Sequence, residues 1–447
     1  MIASQPQRLL VDADSGIVSR KIYSDPEIYE LERARVFRRS WLFVAHDSML
    51  PKPGDFLSNY MGEDPVIVWR GSNGQPQVFL NTCPHRGNKL CLYDSGQAAA
   101  LTCSYHGWTF NNDGQLTGVP FEQQSYEGKL DRAGNSLWRA KVANYGGLIF
   151  ASRDPEVPVL DDYLGEMRWW LDLFVCHQDF GGMAYIPAAQ KYRMAGNWKL
   201  TADNFVGDFY HVPVSHASFM RQFTSGARTR PPNEYGSFNF ALKPGHGLGA
   251  VPTDNRQMQQ DLRVAENIGP EGLEWVKERN AKLHARARSR DVPSGFSAGT
   301  CYPNMTFQGN GAFEGELVAL VQPRGPHLSE IWQWLLFERD APASVKRYAA
   351  AWTARRQSAG GLVGVDDGEN FERIAETMRA PMTPELTFNY GMALERDTRS
   401  LDFGGQPRHW NIDGIPGTAS RAHYSEVNQR GFYRYWAKQM ELEGVPA

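Results

Sequence analysis

Two short motifs twice place a cysteine beside a histidine: Cys83-Pro84-His85-Arg86-Gly87 and Cys103-Ser104-Tyr105-His106-Gly107-Trp108, with 17 residues between His85 and Cys103. Each loop offers one thiolate and one imidazole. Four such donors suit an iron–sulfur centre in which histidines replace two thiolates on one iron, which raises its potential toward that of an acceptor of ferredoxin electrons. A structural Cys₂His₂ zinc site is the alternative, but zinc fingers pair Cys with Cys and His with His at spacings that CxH does not meet. Pro84, Gly87 and Gly107 permit tight turns whose backbone amides can face the sulfurs. Cys91 lies between the loops with no matching partner, and like Cys176 and Cys301 it reads as a small buried apolar residue. Five cysteines in 447 residues are an odd number, thinly spread, which argues against a disulfide framework.

The chain is long enough for two domains. Ser24-Asp25-Pro26-Glu27 opens a helix, with Asp25 as N-cap, that runs to about Phe37. Between 39 and 155, β-type runs such as Val66-Ile67-Val68-Trp69, Gln77-Val78-Phe79-Leu80 and Gly147-Leu148-Ile149-Phe150 alternate with Pro-Gly, Asn-Gly and Asp-Gly turns, predicting a compact antiparallel β domain. From 156 to 447, helical patterns (Asp161 to Phe174, Glu271 to Ala287, Ala343 to Ser358, Gly368 to Arg379) mix with strand-like runs at Gly315 to Val321 and Glu330 to Leu336. The fold class is therefore α+β, without regular βαβ alternation.

No P-loop and no GxGxxG after a strand argues for a nucleotide site. A net charge of -3 and a pI near 6.4 leave no electrostatic footprint for nucleic acid or anionic lipid. The Met1 to Arg8 terminus lacks a basic-then-apolar leader and no apolar run reaches about 18 residues, so the expected location is cytoplasmic.

A second constellation runs Asn197 to His216 and contains Asp203-Asn204-Phe205-Val206-Gly207-Asp208-Phe209-Tyr210-His211-Val212-Pro213-Val214-Ser215-His216. Read as a helix, it aligns Asn204, Asp208 and His211 on one stripe, and a kink at Pro213 lets His216 converge on His211. Two histidines and a carboxylate on one side of an iron leave positions open for O₂ and substrate. The alternative is an ordinary set of core or surface residues, but an electron-storing cluster upstream needs an acceptor. A third ligand must come from elsewhere.

These stretches, with Trp41-Leu42-Phe43, Pro53-Gly54-Asp55, Pro323-Arg324-Gly325-Pro326 and Asp366-Asp367-Gly368-Glu369-Asn370, resemble over nearly the whole length the alpha subunits of Rieske non-haem iron aromatic ring-hydroxylating dioxygenases, the naphthalene, biphenyl and polycyclic-hydrocarbon group. The resemblance implies an N-terminal segment (1–38) that packs on the catalytic domain, a Rieske [2Fe-2S] domain (39–155), and a catalytic domain (156–447) built on an antiparallel sheet covered by helices. It implies that Cys83 and Cys103 hold one cluster iron, His85 and His106 the other, and that His211, His216 and Asp367 hold a mononuclear Fe(II). Asp366 then reads as N-cap of a helix starting near Gly368, with Glu369 completing a capping box. A solvated helix-start acid is the alternative for Asp367.

Asp208 resembles the family's bridging acid, implying that it accepts from its own His211 and from His106 of a neighbouring subunit, which requires a trimeric ring. Asn204 matches a position near the iron, with a satisfied helix amide as the alternative. The resemblance further implies a smaller beta subunit, a ferredoxin and a reductase that pass electrons from NAD(P)H, and cis-dihydroxylation of an aromatic ring with O₂. Phe205, Val206, Phe209, Val212 and Val214 around the ligands favour an apolar mono- or polycyclic arene. Monooxygenation or demethylation of an aromatic acid would use the same residues. A pure electron carrier would leave residues 156–447 without a purpose.

Overall fold

The structure is a computed structural model, and it describes residues 10–219, 238–252, 255–290, 295–309, 311, 313, 315–358, 360–394, 400–401, 410–411, 415–420 and 424–442. The Met1 to Arg8 run lies outside these. The chain divides into two compact units, one of Phe37–Leu160 and one of Met1–Val36 with Asp161–Ala447.

Every sheet of the Phe37–Leu160 unit is antiparallel, with a short α-helix at Glu122–Tyr126. Strands β1 (Leu42–His46), β2 (Asp55–Met61), β3 (Asp64–Arg70), β4 (Pro76–Leu80), β5 (Ser95–Gln97), β6 (Ala100–Thr102), β7 (Thr109–Asn111), β8 (Leu116–Gly118), β9 (Lys141–Tyr145) and β10 (Leu148–Ser152) form three small sheets ordered β4-β3-β2-β5, β8-β7-β6 and β9-β10-β1. β3 reads Asp-Pro-Val-Ile-Val-Trp-Arg, and its Ile67 and Trp69 enter a buried cluster with Phe79, Phe110 and Trp108. Cys83, Cys91 and Cys103 lie in that same cluster, so the two cysteine loops rest on a packed floor.

In the larger unit one eight-stranded antiparallel sheet dominates. Its strands are β11 (Met183–Met194), β12 (Phe238–Leu242), β13 (His246–Pro252), β14 (Gly295–Cys301), β15 (Met305–Gly309), β16 (Glu316–Pro323), β17 (Ser329–Glu338) and β18 (Thr418–Ala419), ordered β11-β17-β16-β15-β14-β13-β12-β18. β16 and most of β17 are buried along both faces, which is why they read as unbroken apolar runs. Helices α1 (Pro26–Glu32), α2 (Trp198–Phe205), α3 (Val212–Ser215), α4 (Pro270–Ser289), α5 (Ala343–Gln357), α6 (Gly364–Met378) and α7 (Val427–Gln439) belong to this unit. Asp25 caps α1 as expected, accepting from the amides of Glu27 and Ile28. The expected helix from Asp161 to Phe174 is instead two, Leu160–Leu164 and Met167–Phe174. Gly165 between them adopts φ +48, and a Cβ there would come within 2.6 Å of the Lys243 carbonyl.

The N-terminal segment joins this unit by backbone and by charge. Ile17–Ser19 pairs with Thr387–Asn389 at one edge and Val11–Asp12 at the other. Glu32 at the end of α1 is wholly buried, and its carboxylate accepts from Lys199 Nζ at 2.5 Å, Trp198 Nε1 at 2.9 Å and Trp436 Nε1 at 2.8 Å. One acid thus ties α1 to α2 and α7. Breaking a buried pair from one side strands the other charge, so Glu32→Gln is expected to destabilise the chain by about 3–5 kcal/mol. The check is a urea titration: the midpoint should fall for Glu32→Gln and recover in large part when Lys199→Met is added, because a neutral replacement of both partners leaves no buried charge.

Candidate metal centres

The two cysteine loops are copies of one turn. The amide of Gly87 donates to the Cys83 carbonyl at 2.8 Å, and the amide of Gly107 to the Cys103 carbonyl at 3.0 Å. Both glycines need positive φ, +71 and +75, to close that turn. The turns aim backbone amides at the sulfurs, from His85 and Arg86 at Cys83 and from Tyr105 and His106 at Cys103. Asn88 Nδ2 adds a contact to Cys103 Sγ at 3.6 Å. Burial works to raise both thiol pKa values; it prevails at Cys83, whereas at Cys103 the amides and Asn88 pull the net shift below the ordinary value.

Both imidazoles face the same place. The His85 and His106 rings lie 4.5 Å apart, and His85 stacks on Trp108 at 4.8 Å with planes 7° apart. Burial, then the neighbouring His106 and Arg86, lowers the His85 pKa, which favours the neutral ring that can ligate. Its Nδ1 is buried with no hydrogen-bond partner among the described residues, an orphaned acceptor that a metal would satisfy. Two thiols, two imidazoles and converging amides fit an iron–sulfur cluster. Cys91, Cys176 and Cys301 are buried and in no disulfide, as the sequence indicated; burial pushes the thiols of Cys176 and Cys301 well up.

The second centre is built differently from the expected helix. α2 ends at Phe205, Gly207 takes φ +109, and a separate short helix, α3, begins after His211. The break is therefore at Gly207, and Pro213 opens α3 instead of kinking a longer helix. Asn204, Asp208 and His211 share no helical stripe. The cause is a close approach: a Cβ on residue 207 would lie 2.2 Å from the Gly249 amide in β13, so only glycine fits and only off-helix. Asn428 on α7 fixes the same loop by donating to the Val206 carbonyl at 2.6 Å.

The loop delivers His211 and His216 to Asp367 on α6. His211 Nε2 and His216 Nε2 are 3.2 Å apart, and they lie 3.3 Å and 3.2 Å from Asp367 Oδ1. Among the described residues this is the one trio of His, Cys, Asp or Glu placed to hold a metal ion. Adjacent octahedral positions around an ion with donors at about 2.1 Å are about 3.0 Å apart, so this triangle has the size of one face of such a coordination shell.

Electrostatics agree with that reading. Burial disfavours a charged His211, but the carboxylates of Asp208 and Asp367 outweigh it and hold its pKa at about 10. Burial would raise the Asp367 pKa, and the two imidazoles instead bring it below its ordinary value. A cation entering here would displace the His211 proton, because the neutral ring is the ligand.

Asp208 Oδ1 accepts from the amides of Tyr210 and His211 at 3.0 Å and 3.4 Å, while Oδ2 lies 3.3 Å from His211 Nδ1. Its side chain remains 32% exposed. Asn204 sits in the last turn of α2, where its carbonyl accepts the Asp208 amide at 3.0 Å, and it makes no hydrogen bond to the three donors. Val206 and Phe209 are buried, but Val214 is 79% exposed and so faces away from any apolar enclosure.

Asp366 is not an N-cap. α6 starts at Gly364 after Val363, placing Asp366 inside the first turn with Oδ2 3.2 Å from His216 Nδ1, and Glu369 pairs with Arg373 at 2.7 Å. Sequence reasoning missed Asp203 as well. It is held under Tyr390 and Tyr433, accepting at 2.6 Å and 3.0 Å, and burial raises its pKa to about 7. No local spacing marks it, because both tyrosines come from the far end of the chain.

Comparison with known proteins agrees with this geometry. Residues 40–144 match a Rieske [2Fe-2S] domain, and residues 184–442 match the catalytic domain of the ring hydroxylating alpha subunit. The chain is 37% identical to the biphenyl 2,3-dioxygenase alpha subunit of Rhodococcus jostii, covering 96% of this chain and 90% of that one. It is 35% identical to a benzene 1,2-dioxygenase alpha subunit of Pseudomonas putida, over 96% of this chain and 92% of the relative. A solved naphthalene 1,2-dioxygenase with indole in its active site superposes with a TM-score of 0.82 at 28% identity, covering 96% of this chain and 93% of that one.

Proposed function

The chain belongs to the Rieske ring-hydroxylating alpha-subunit family, and on that premise we propose that it is the terminal oxygenase that adds both atoms of O₂ to an apolar aromatic ring as a cis-dihydrodiol. The observation that carries this reading is the pairing in one polypeptide of a two-thiol, two-imidazole pocket with a His-His-carboxylate face. Cys83, His85, Cys103 and His106 would hold the [2Fe-2S] cluster, and His211, His216 and Asp367 the mononuclear iron. Bound there, the iron would supply O₂ activation, with the cluster supplying the electrons.

The residues of the chain do the rest. The loop amides that face the Cys83 and Cys103 sulfurs would donate to the thiolates of a bound cluster and favour its reduced form. Asp208 has one oxygen committed to its own loop, the other beside His211, and enough exposure to receive a further donor. Asp208 would then bridge to His106 of a neighbouring subunit, which calls for a head-to-tail trimer of alpha subunits, and the alpha-subunit naming of the relatives supports a smaller beta subunit beside each. Electrons reach the cluster from NAD(P)H through a reductase and a ferredoxin. The work takes place in the cytoplasm, where unpaired thiols stay reduced; among the described residues no helix is long and apolar enough to cross a membrane. The relatives named for biphenyl, benzene and naphthalene support an apolar mono- or polycyclic arene as substrate.

Metal analysis and product analysis test the proposal together. Purified protein is expected to hold one more iron than acid-labile sulfide, and with reductase, ferredoxin, NADH and isotopically labelled O₂ to return a dihydrodiol of benzene, biphenyl or naphthalene carrying both labelled atoms. A product with one labelled atom would assign monooxygenation instead. Equal iron and sulfide would leave only an electron carrier.

A further inference from the structure

Consecutive carboxylates at the start of α6 face the two nitrogens of the His216 ring. Asp367 Oδ1 lies 3.2 Å from Nε2, and Asp366 Oδ2 lies 3.2 Å from Nδ1. Neighbouring helix residues point about 100° apart, so the two acids cannot reach for the same atom and straddle the imidazole instead. A neutral imidazole can offer Nε2 to a metal only with its proton on Nδ1, and there Asp366 is the acceptor.

We propose that Asp366 is a positioning residue for the mononuclear iron, taking the Nδ1–H hydrogen bond of His216 and so fixing the tautomer and the ring plane in which Nε2 faces the ion. The inference rests on the reading of His211, His216 and Asp367 as an iron site. It gives each histidine an outer carboxylate of its own: Asp208 from the preceding loop for His211, Asp366 from α6 for His216.

The surroundings are built to keep that contact. His216 is buried, which denies its Nδ1 a water partner in place of the acid. Asn370, one turn along α6, donates to the Asp366 carbonyl at 3.0 Å and to Ser215 Oγ at 3.2 Å, tying the helix that carries both acids to the residue before His216. Asp366 has no helix-capping duty, since its amide already donates to the Val363 carbonyl at 3.1 Å and α6 begins two residues earlier. Removing its carboxylate should spare the helix and disturb the ring.

The test compares wild type with Asp366→Ala, Asp366→Asn and Asp366→Glu. In protein with the cluster intact, Fe(II) affinity is measured by competition with a chromophoric chelator, alongside cluster absorbance and the thermal midpoint of the mononuclear-iron-free form. Asp366→Ala is expected to bind Fe(II) roughly 10–100-fold more weakly, with midpoint and cluster absorbance unchanged. Asp366→Asn should lose less, because its amide oxygen still accepts, and Asp366→Glu should recover part of the affinity. Wild-type affinity in Asp366→Ala would overturn the proposal, as would a midpoint lowered in step with the affinity, which would make the role structural. A wild type that takes up no Fe(II) beyond its cluster would instead overturn the iron site itself, a result distinct from either.

Discussion

Asp367→Ala is expected to leave a coloured protein with a full cluster and no oxygenated product. Asp367 is the only carboxylate in the trio, and its Oδ1 is the atom that both Nε2 nitrogens face. Without it the site keeps two neutral donors and loses its anionic one. Dividing the roughly 10–16 kcal/mol of a four-ligand structural metal site evenly gives about 2.5–4 kcal/mol per ligand. That is a loss of about two to three orders of magnitude in affinity. The His211 pKa should fall too, because Asp367 is one of the two carboxylates holding it up. Iron analysis before and after dialysis against a chelator gives the reading: the variant should retain iron only in proportion to its acid-labile sulfide. Retention of the additional iron together with product formation would move the third ligand elsewhere.

The proposed cluster ligands were legible in the sequence because their constraint is local. A tight turn that brings a thiol and an imidazole to one point must be written within three or four residues, and the glycines that close those turns stand in the same motif. The mononuclear site was only half legible. His211 and His216 are close in sequence, but Asp367 comes from a distant helix, and resemblance rather than spacing located it.

Where the reading of the second site failed, a tertiary contact had overridden a local pattern. Nothing in the Asn204 to His211 run forbids a helix except Gly207, and that glycine is demanded by β13 passing within contact distance of its Cα. The other side of the same contact hid β13. A Cβ at Gly249 would strike the Phe209 ring at 2.4 Å and one at Gly247 would strike Val206 at 2.9 Å, so a central strand carries glycines that read as turns. Asp366 was misread for a similar reason. An acid at the start of a helix has a ready local duty as a cap, and only the fold shows that its partner is an imidazole on another segment.

Asp208→Asn should separate holding the metals from using them. The substitution preserves shape, and an amide oxygen can still accept from the Tyr210 and His211 amides that Oδ1 now serves. It removes the charge beside His211 Nδ1 and, whichever way the amide turns, leaves one of its two contacts facing the wrong group: the nitrogen cannot accept from an N–H. If Asp208 joins its own His211 to His106 of the neighbouring subunit, the variant loses the link while both centres stay loaded. Turnover is then expected to fall at least about 100-fold, at the upper end of what outer carboxylates contribute at metal sites. Stopped-flow absorbance gives the decisive reading: the cluster should still be reduced by ferredoxin at the wild-type rate, and its reoxidation in the presence of substrate and O₂ should be slowed by the same factor as turnover. Loss of the mononuclear iron would reduce Asp208 to an orienting residue for His211, and reoxidation at the wild-type rate would remove the bridge between subunits altogether.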